Sequence, residues 1–258
     1  MAFPPFNFPN TFSFSFIFPF SLLILLPPIP AAGNSPVHHY DSHHAIAVNC
    51  GFPRNSTALN GRQWVGETDS ATMIIFHGPA SQSVSPPYSI HNLLDPTPYR
   101  TARASRASFT YTFHVGSGYK FIRLHFYPVS YSGFKTSTAF ITVKSGPYTL
   151  LNNFSAFLTA DSLGLKSIVK EFTLYVPDHN EPLSITFSPS RAIPSDDTFA
   201  FVNGIEVVPM PLGLYYTMEG DGGAYDAGQN YRLPIGITIA MEMAHRLNVG
   251  GGSLTSAA

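Results

Sequence analysis

The side chains best placed to do chemistry in this chain are aromatic rings and charges gathered in one stretch, TPYRTARASRASFTYTFHVGSGYKFIRLHFYPVSYSGF, residues 97–134. Tyr99, Tyr127, Tyr131 and Phe134 are of exposed loop type, and arginines recur at every third position as Arg100, Arg103 and Arg106. An aromatic ring offers the apolar CH face of a sugar a flat, low-entropy platform, with a polar tip on Tyr. A neighbouring Asp, Asn or Arg then fixes a hydroxyl or a carboxylate through directional hydrogen bonds. Asp196 and Asp197, adjacent in a later loop, are the candidate acceptors. These rings with Asp196 or Asp197 compose a candidate sugar site; the alternative is that they pack in loops or between sheets.

The three arginines cannot share one strand face, because residues three apart alternate sides. They form either a basic rim for an acidic ligand, a uronate polysaccharide or an acidic peptide, or one structural ion pair and two solvated side chains. Enzymatic constellations are absent: the sequence has no G-x-S-x-G, no H-E-x-x-H and no phosphate-binding glycine loop before a lysine. A glycosidase pair straddles its bond at about 5–9.5 Å, usually from separate elements, which the adjacent Asp196 and Asp197 do not do. Glu171 and Glu206 sit in strands, where a solvent-facing carboxylate is expected. His38-His39 and His43-His44 lack a cysteine or a spacing that fixes coordination. No catalytic residue, metal or cofactor is expected.

The elements that must position these residues are strands. Phe109–Val115 and Tyr119–Tyr127 alternate apolar with polar residues, the period of a half-buried strand. They flank Gly116-Ser117-Gly118, which predicts a hairpin. Strand signals recur at Ala45–Cys50, Ala139–Lys144, Ser167–Val176, Leu183–Phe187 and Phe199–Val208, punctuated by Gly, Pro, Asn and Asp. Many short strands and few helical patterns predict an all-β sandwich. Residues 52–98 are poor in strand signal and predict loop with one short strand around Arg62–Val65, where Trp64 is buried. Ile237–Arg246 predicts a short helix.

Charged residues make up 11% of the chain, against about 25% in typical domains. The formal net charge of −1 provides no global field for nucleic acid or an anionic membrane. No charged side chain precedes Asp41, and Ser15–Leu26 is an apolar run closed by Pro27-Pro28 and followed by Ala31-Ala32-Gly33. That order predicts a secretory signal peptide over residues 1–33, too short for a membrane span. No later run is long and apolar enough for stable membrane insertion. Cys50 is the only cysteine, which excludes an intrachain disulfide and favours burial in the first strand. Asn55-Ser56-Thr57 and Asn153-Phe154-Ser155 are N-glycosylation acceptors that suit a secreted chain.

Several of these pieces together resemble a known family. Val48-Asn49-Cys50-Gly51, Tyr99-Arg100-Thr101-Ala102-Arg103, Lys120–Pro128, Gly146–Leu151 and Ala200–Val207 are similar to the malectin-like ectodomains of plant receptor-like kinases of the Catharanthus type, the FERONIA group. The resemblance implies a two-sheet antiparallel β-sandwich, malectin-like and jelly-roll-related with long loops, over residues 45–211. Residues 34–44 are then a flexible lead-in, and 212–258 a linker with the truncated start of a second malectin-like domain. It places Tyr99, Tyr131 and Asp196 or Asp197 at the positions of malectin's sugar site, with Tyr127 beside them and Arg100 or Arg103 as a uronate contact. Relatives act at the plasma membrane, sensing cell-wall pectin and secreted peptides. The second domain, the membrane span and the kinase of a full family member are not in this sequence. The expected function is a secreted, apoplastic module that binds cell-wall oligosaccharide or polysaccharide without catalysis. The alternatives are a module docking a secreted peptide or a sister receptor, or a non-functional receptor fragment.

Overall fold

A computed structural model describes residues 45–68, 74–88, 90, 93, 95–177, 181–190, 197–225, 228–245 and 249. The expected signal peptide, lead-in, histidine pairs and Asp196 lie outside the described residues. In chain order the strands are β1 (Ile46–Asn49), β2 (Ser56–Thr57), β3 (Gln63–Gly66), β4 (Ile74–His77), β5 (Gln82–Val84), β6 (Ala102–Ser105), β7 (Phe109–Phe113), β8 (Gly118–Phe126) and β9 (Ile141–Ser145). After β10 (Tyr148–Phe154) comes one helix, α1 (Ala156–Leu163). Then follow β11 (Ile168–Val176), β12 (Leu183–Pro189), β13 (Ala200–Val202), β14 (Gly204–Pro209), β15 (Ala224–Tyr225), β16 (Arg232–Leu233) and β17 (Met241–Glu242).

Two sheets make the sandwich. The larger has the order β17-β11-β8-β14-β1-β3-β2 and the smaller β10-β9-β12-β7-β4. β6, with β5 and β13, forms a three-stranded sheet at the side. Strict alternation fixes the faces: in β7, Phe109, Tyr111 and Phe113 are buried while Thr110 and Thr112 are half-buried. Ile122, Leu124 and Phe126 of β8 meet Phe113, Ile185 and Phe187 of the smaller sheet in one core. Buried Cys50 belongs to that core, as expected.

Three expectations fail, the first on partnership and the other two on element type. Phe109–Phe113 and Gly118–Phe126 are strands, but they form no hairpin. β7 pairs with β12 and β4, whereas β8 pairs with β11 and β14. The intervening turn carries the chain from one sheet to the other across the core, because both strands have an apolar face to bury. Residues 52–98 hold β2, β4 and β5 besides β3, each too short for its alternation to stand out. Trp64 is buried in β3 as expected. The described part of Ile237–Arg246 is not helical: Met241–Glu242 pairs with the edge of β11, and Met243 N donates to Glu171 O at 2.8 Å.

Helix α1 was hidden among strand signals, although its punctuation is present. Ser155 caps it, accepting from Leu158 N at 3.4 Å, and Gly164 closes it in the left-handed conformation. The helix fills the connection between β10 and β11, beside the end of β8 where Tyr127 follows.

Candidate functional site

The loops after β8, before β6 and around α1 gather at one end of the sandwich, since β11 starts opposite the end of β8 (Ile168 faces Phe126). Most of the expected site residues lie there, but not as open platforms. Tyr99 is 7% exposed, Tyr127 7% and Tyr131 4%. The Tyr131 phenol donates to Tyr127 O at 2.8 Å and accepts from Asn203 Nδ2 at 3.0 Å. Asn203, fully buried, also donates to Thr101 O at 2.8 Å and accepts from Tyr127 N at 2.7 Å. Tyr131 and Phe134 are core residues paired by a short bridge. Burial drives the Tyr131 phenol well above its ordinary pKa. The expectation that Tyr99 and Tyr131 present free faces is therefore corrected: both rings are consumed by packing and hydrogen bonds.

Tyr99 is held from below. Its hydroxyl meets His125 Nδ1 at 3.1 Å, and His125 Nε2 meets Glu206 Oε1 at 2.8 Å. Glu206 is further paired with Arg62 and with Arg123, the latter at 3.2 Å, and Arg123 reaches Glu171 at 2.5 Å. Glu171 and Glu206 are thus buried partners in a charge network across β11, β8 and β14, not the solvent-facing carboxylates expected. Burial raises the Glu206 pKa, but the His125 hydrogen bond and the charges of His125, Arg62 and Arg123 outweigh it and hold the group at about 2. Burial first, with Glu206 and Asp95 adding, pushes Tyr99 to about 12.

The arginines separate. Arg103 is a structural ion pair: it grips Glu67, which also accepts from Gly51 N at 2.7 Å and from the Tyr111 hydroxyl. That arrangement removes Arg103 from any ligand surface. Arg106 donates to Gly133 O at 2.8 Å, lies over the Phe134 ring at 4.9 Å, and has Asp197 at 3.8 Å. Asp197 therefore belongs to this rim cluster and not to a cup with Tyr99 and Tyr131. Arg100 is exposed.

What the end of the sandwich does present is two adjoining grooves sharing Tyr88, a residue missed in the sequence and 60% exposed. One, of about 340 Å³, runs between Tyr88, the Tyr127-Pro128-Val129 segment and α1, with Phe157 and Leu165 as apolar walls. Asp161 and Lys166 are its charged side chains. The other, about 390 Å³ and more open, lies between Pro86, Pro87, Tyr88 and Arg100. Tyr127 is fixed by its ring contact with Tyr99 at 6.1 Å, and burial and the nearby Tyr88 raise its phenol pKa. Tyr88 follows Pro86-Pro87 in a loop without periodicity, so only an exposed aromatic after a rigid dipeptide could have flagged it. Among the described residues no cluster of three or more His, Cys, Asp or Glu could hold a metal, and no helix is long and apolar enough to cross a membrane. Asn55 and Asn153 are both exposed.

No protein-family model matches the chain. The receptor-like protein kinase FERONIA of Arabidopsis thaliana is 39% identical over 242 residues, covering 93% of this chain and 26% of that protein. The crystal structure of the ANX1 ectodomain from Arabidopsis thaliana superposes with a TM-score of 0.70 at 32% identity, over 83% of this chain and 52% of the other. A crystal structure of the plant peptide RALF23 in complex with FER and LLG2 matches with a TM-score of 0.68 at 35% identity, covering 84% and 51%. The chain thus spans about a quarter of the curated relative and about half of the solved chains. These solved structures are of ectodomains, not of catalytic domains.

Proposed function

We propose that this chain, which is homologous to the ectodomains of the FERONIA-group receptor-like kinases over 93% of its length, works outside the cell as a non-enzymatic recognition module of receptor type. Its ligand surface is the loop end of the sandwich, and its principal ligand is a secreted peptide. The observation that supports this is the groove between Tyr88, Tyr127 and α1. Its walls are mostly apolar, with one carboxylate and one ammonium, as suits an extended peptide that inserts an apolar side chain and satisfies its main chain at the rim. That a relative was crystallised with the peptide RALF23 and LLG2 lends weight to a peptide ligand and a co-receptor here.

A second reading, cell-wall carbohydrate, draws on the other groove. The Tyr88 ring is open, and Arg100 stands beside it without a buried role. Ring and guanidinium suit an acidic sugar stacked on Tyr88. Tyr127 belongs to the first groove in either reading.

One titration separates the two. The secreted, glycosylated chain is titrated with RALF23, with and without LLG2, and with pectic and neutral oligosaccharides. Peptide binding that survives salt and is lost in Leu165→Asp supports the peptide site. Oligosaccharide binding that weakens with salt and disappears in both Tyr88→Ala and Arg100→Ala moves the function to carbohydrate. Folded protein that binds none of these probes would refute the assignment of this end as the ligand surface.

A further inference from the structure

At the opposite end of the sandwich a second pocket has been built with some care. The β9–β10 turn closes at Gly146-Pro147, β11 runs out into Pro177, and β12 begins after Pro182. Because β11 belongs to the larger sheet and β9, β10 and β12 to the smaller, the sheets part here and leave a pocket of about 450 Å³. Leu174, Val176 and Leu183 reach it from the core, and Tyr148 and Tyr175 line it as aromatic walls. Ile237 and Thr238, from the segment that follows β16, complete the lining. The volume falls within the range of about 300–1,000 Å³ usual for ligand pockets.

The walls are pinned. Tyr175 packs edge-on against Tyr119 at 5.0 Å, and Tyr119 stacks on Tyr216 at 4.3 Å. The Tyr216 hydroxyl donates to Ile239 O at 2.9 Å, while Thr217 N donates to Ile235 O at 3.0 Å. The segment carrying Ile237 and Thr238 is therefore fastened on both sides to the same aromatic ladder that holds Tyr175. A pocket whose walls are ordered before binding spares the ligand that cost.

Charge tells what fits. Among the described lining residues the only charged side chain is Glu181, which is exposed at the rim. Two tyrosine faces and one carboxylate attract a cation that can leave water for an aromatic surface. The inner part of the pocket is aliphatic and takes an uncharged side chain.

We infer that this pocket is a second recognition site, distinct from the Tyr88 grooves, for a segment of a protein or peptide partner carrying an apolar side chain beside a basic one. The apolar side chain enters between Leu174, Leu183 and Ile237, and the basic group lies against Tyr148 with Glu181 as its counter-ion.

The whole chain is titrated by heteronuclear NMR with N-acetyl-leucyl-arginine amide and, separately, with N-acetyl-leucyl-glutamate amide. Saturable shifts of Ile237 and Leu174 are expected with the arginyl probe only. Binding weakens by about tenfold in Tyr148→Ala and in Glu181→Gln, and is unchanged in Tyr88→Ala. Both tested side chains lie at the surface or half-buried, and unchanged spectra elsewhere confirm folding. Equal binding of the glutamyl probe, insensitivity to both pocket variants, or no saturation up to about 10 mM would overturn the site. Because Tyr88→Ala leaves this binding intact, failure here and failure of the loop-end reading are read separately.

Discussion

Tyr131 and Tyr127 are joined by a hydrogen bond from the phenol of the first to the main-chain carbonyl of the second, 2.8 Å long and buried. Asn203 completes the knot by binding Tyr131 and the backbone of Tyr127 and Thr101 at once. The end of β8 is thereby tied to the loop after it and to the segment entering β6. Tyr127 is held at the groove wall while Tyr131 is spent in holding it.

This division of labour predicts different effects for three residues at this end of the sandwich. Asn203→Ala strands a buried amide and a buried carbonyl, and stability falls by about 2–4 kcal/mol. Tyr131→Phe removes one hydroxyl and costs about 1 kcal/mol. Tyr88→Ala leaves stability within about 0.5 kcal/mol, because the ring is mostly in solvent. Urea midpoints of the three variants check the order, and an equal loss in Tyr88→Ala would refute it.

Acid sensitivity follows from Glu206. Its folded pKa, about 2, lies below the value of about 4.3 for an unfolded glutamate. A depressed carboxylate contributes stability that is fully present above the unfolded value and is lost as pH falls through the folded one. The window is therefore pH 4.3 down to about 2, and the contribution is about 3 kcal/mol at most. Glu206→Gln lowers stability at neutral pH and flattens the decline across that window. Unfolding free energies of both proteins between pH 2 and 7 test this; parallel curves would show that Glu206 is not the group responsible.

The strands were legible because alternation is a local property: Phe109, Tyr111 and Phe113 announce a face wherever the strand goes. Partners were not, since period 2 fixes which side is buried and not against what, which is why the sequences of β7 and β8 read as a hairpin. The candidate site suffered the same limit. Glu206 looks solvent-facing until Arg62, Arg123 and His125 arrive from 144, 83 and 81 residues away. Tyr131 looks exposed until Asn203 arrives from 72. Arg103 could not be told from Arg100 without Glu67, which lies 36 residues back. Aromatic and charged residue types pointed to the end of the molecule where the two grooves lie, while the side chains left open there depended on long-range pairing.

A close approach supplies a third prediction. Gly204 opens β14 opposite His125, under Pro98 and Trp64. A Cβ there would stand 2.5 Å from Pro98 Cγ and 2.8 Å from the Trp64 ring, both buried and unable to retreat freely. Gly204→Ala is expected to cost about 1–3 kcal/mol through overpacking. Gly133→Ala, where a Cβ meets nothing within 4 Å but φ is +76°, reports backbone strain alone. Loss of the Trp64 fluorescence environment in Gly204→Ala but not in Gly133→Ala is the expected signature; the same spectrum in both would show that Gly204 is not needed for this contact.

The last prediction concerns Ser155, whose one hydroxyl serves two ends. It caps α1 by accepting from Leu158 N, and it completes the acceptor sequence of Asn153, an exposed residue at φ +50°. Ser155→Ala is expected to cost about 1 kcal/mol through the lost cap and to yield a secreted protein lighter by one glycan. Ser155→Thr keeps both functions. Asn153→Gly removes the glycan acceptor while easing a left-handed residue, so its mass falls without a loss of intrinsic stability. Intact mass before and after glycosidase, set beside urea midpoints, resolves the two effects. An Asn153→Gly protein whose mass differs from wild type only by the replaced side chain would show that the acceptor is unused, and the cost of Ser155→Ala would then belong to the helix alone, and through Phe157 to the groove that α1 walls.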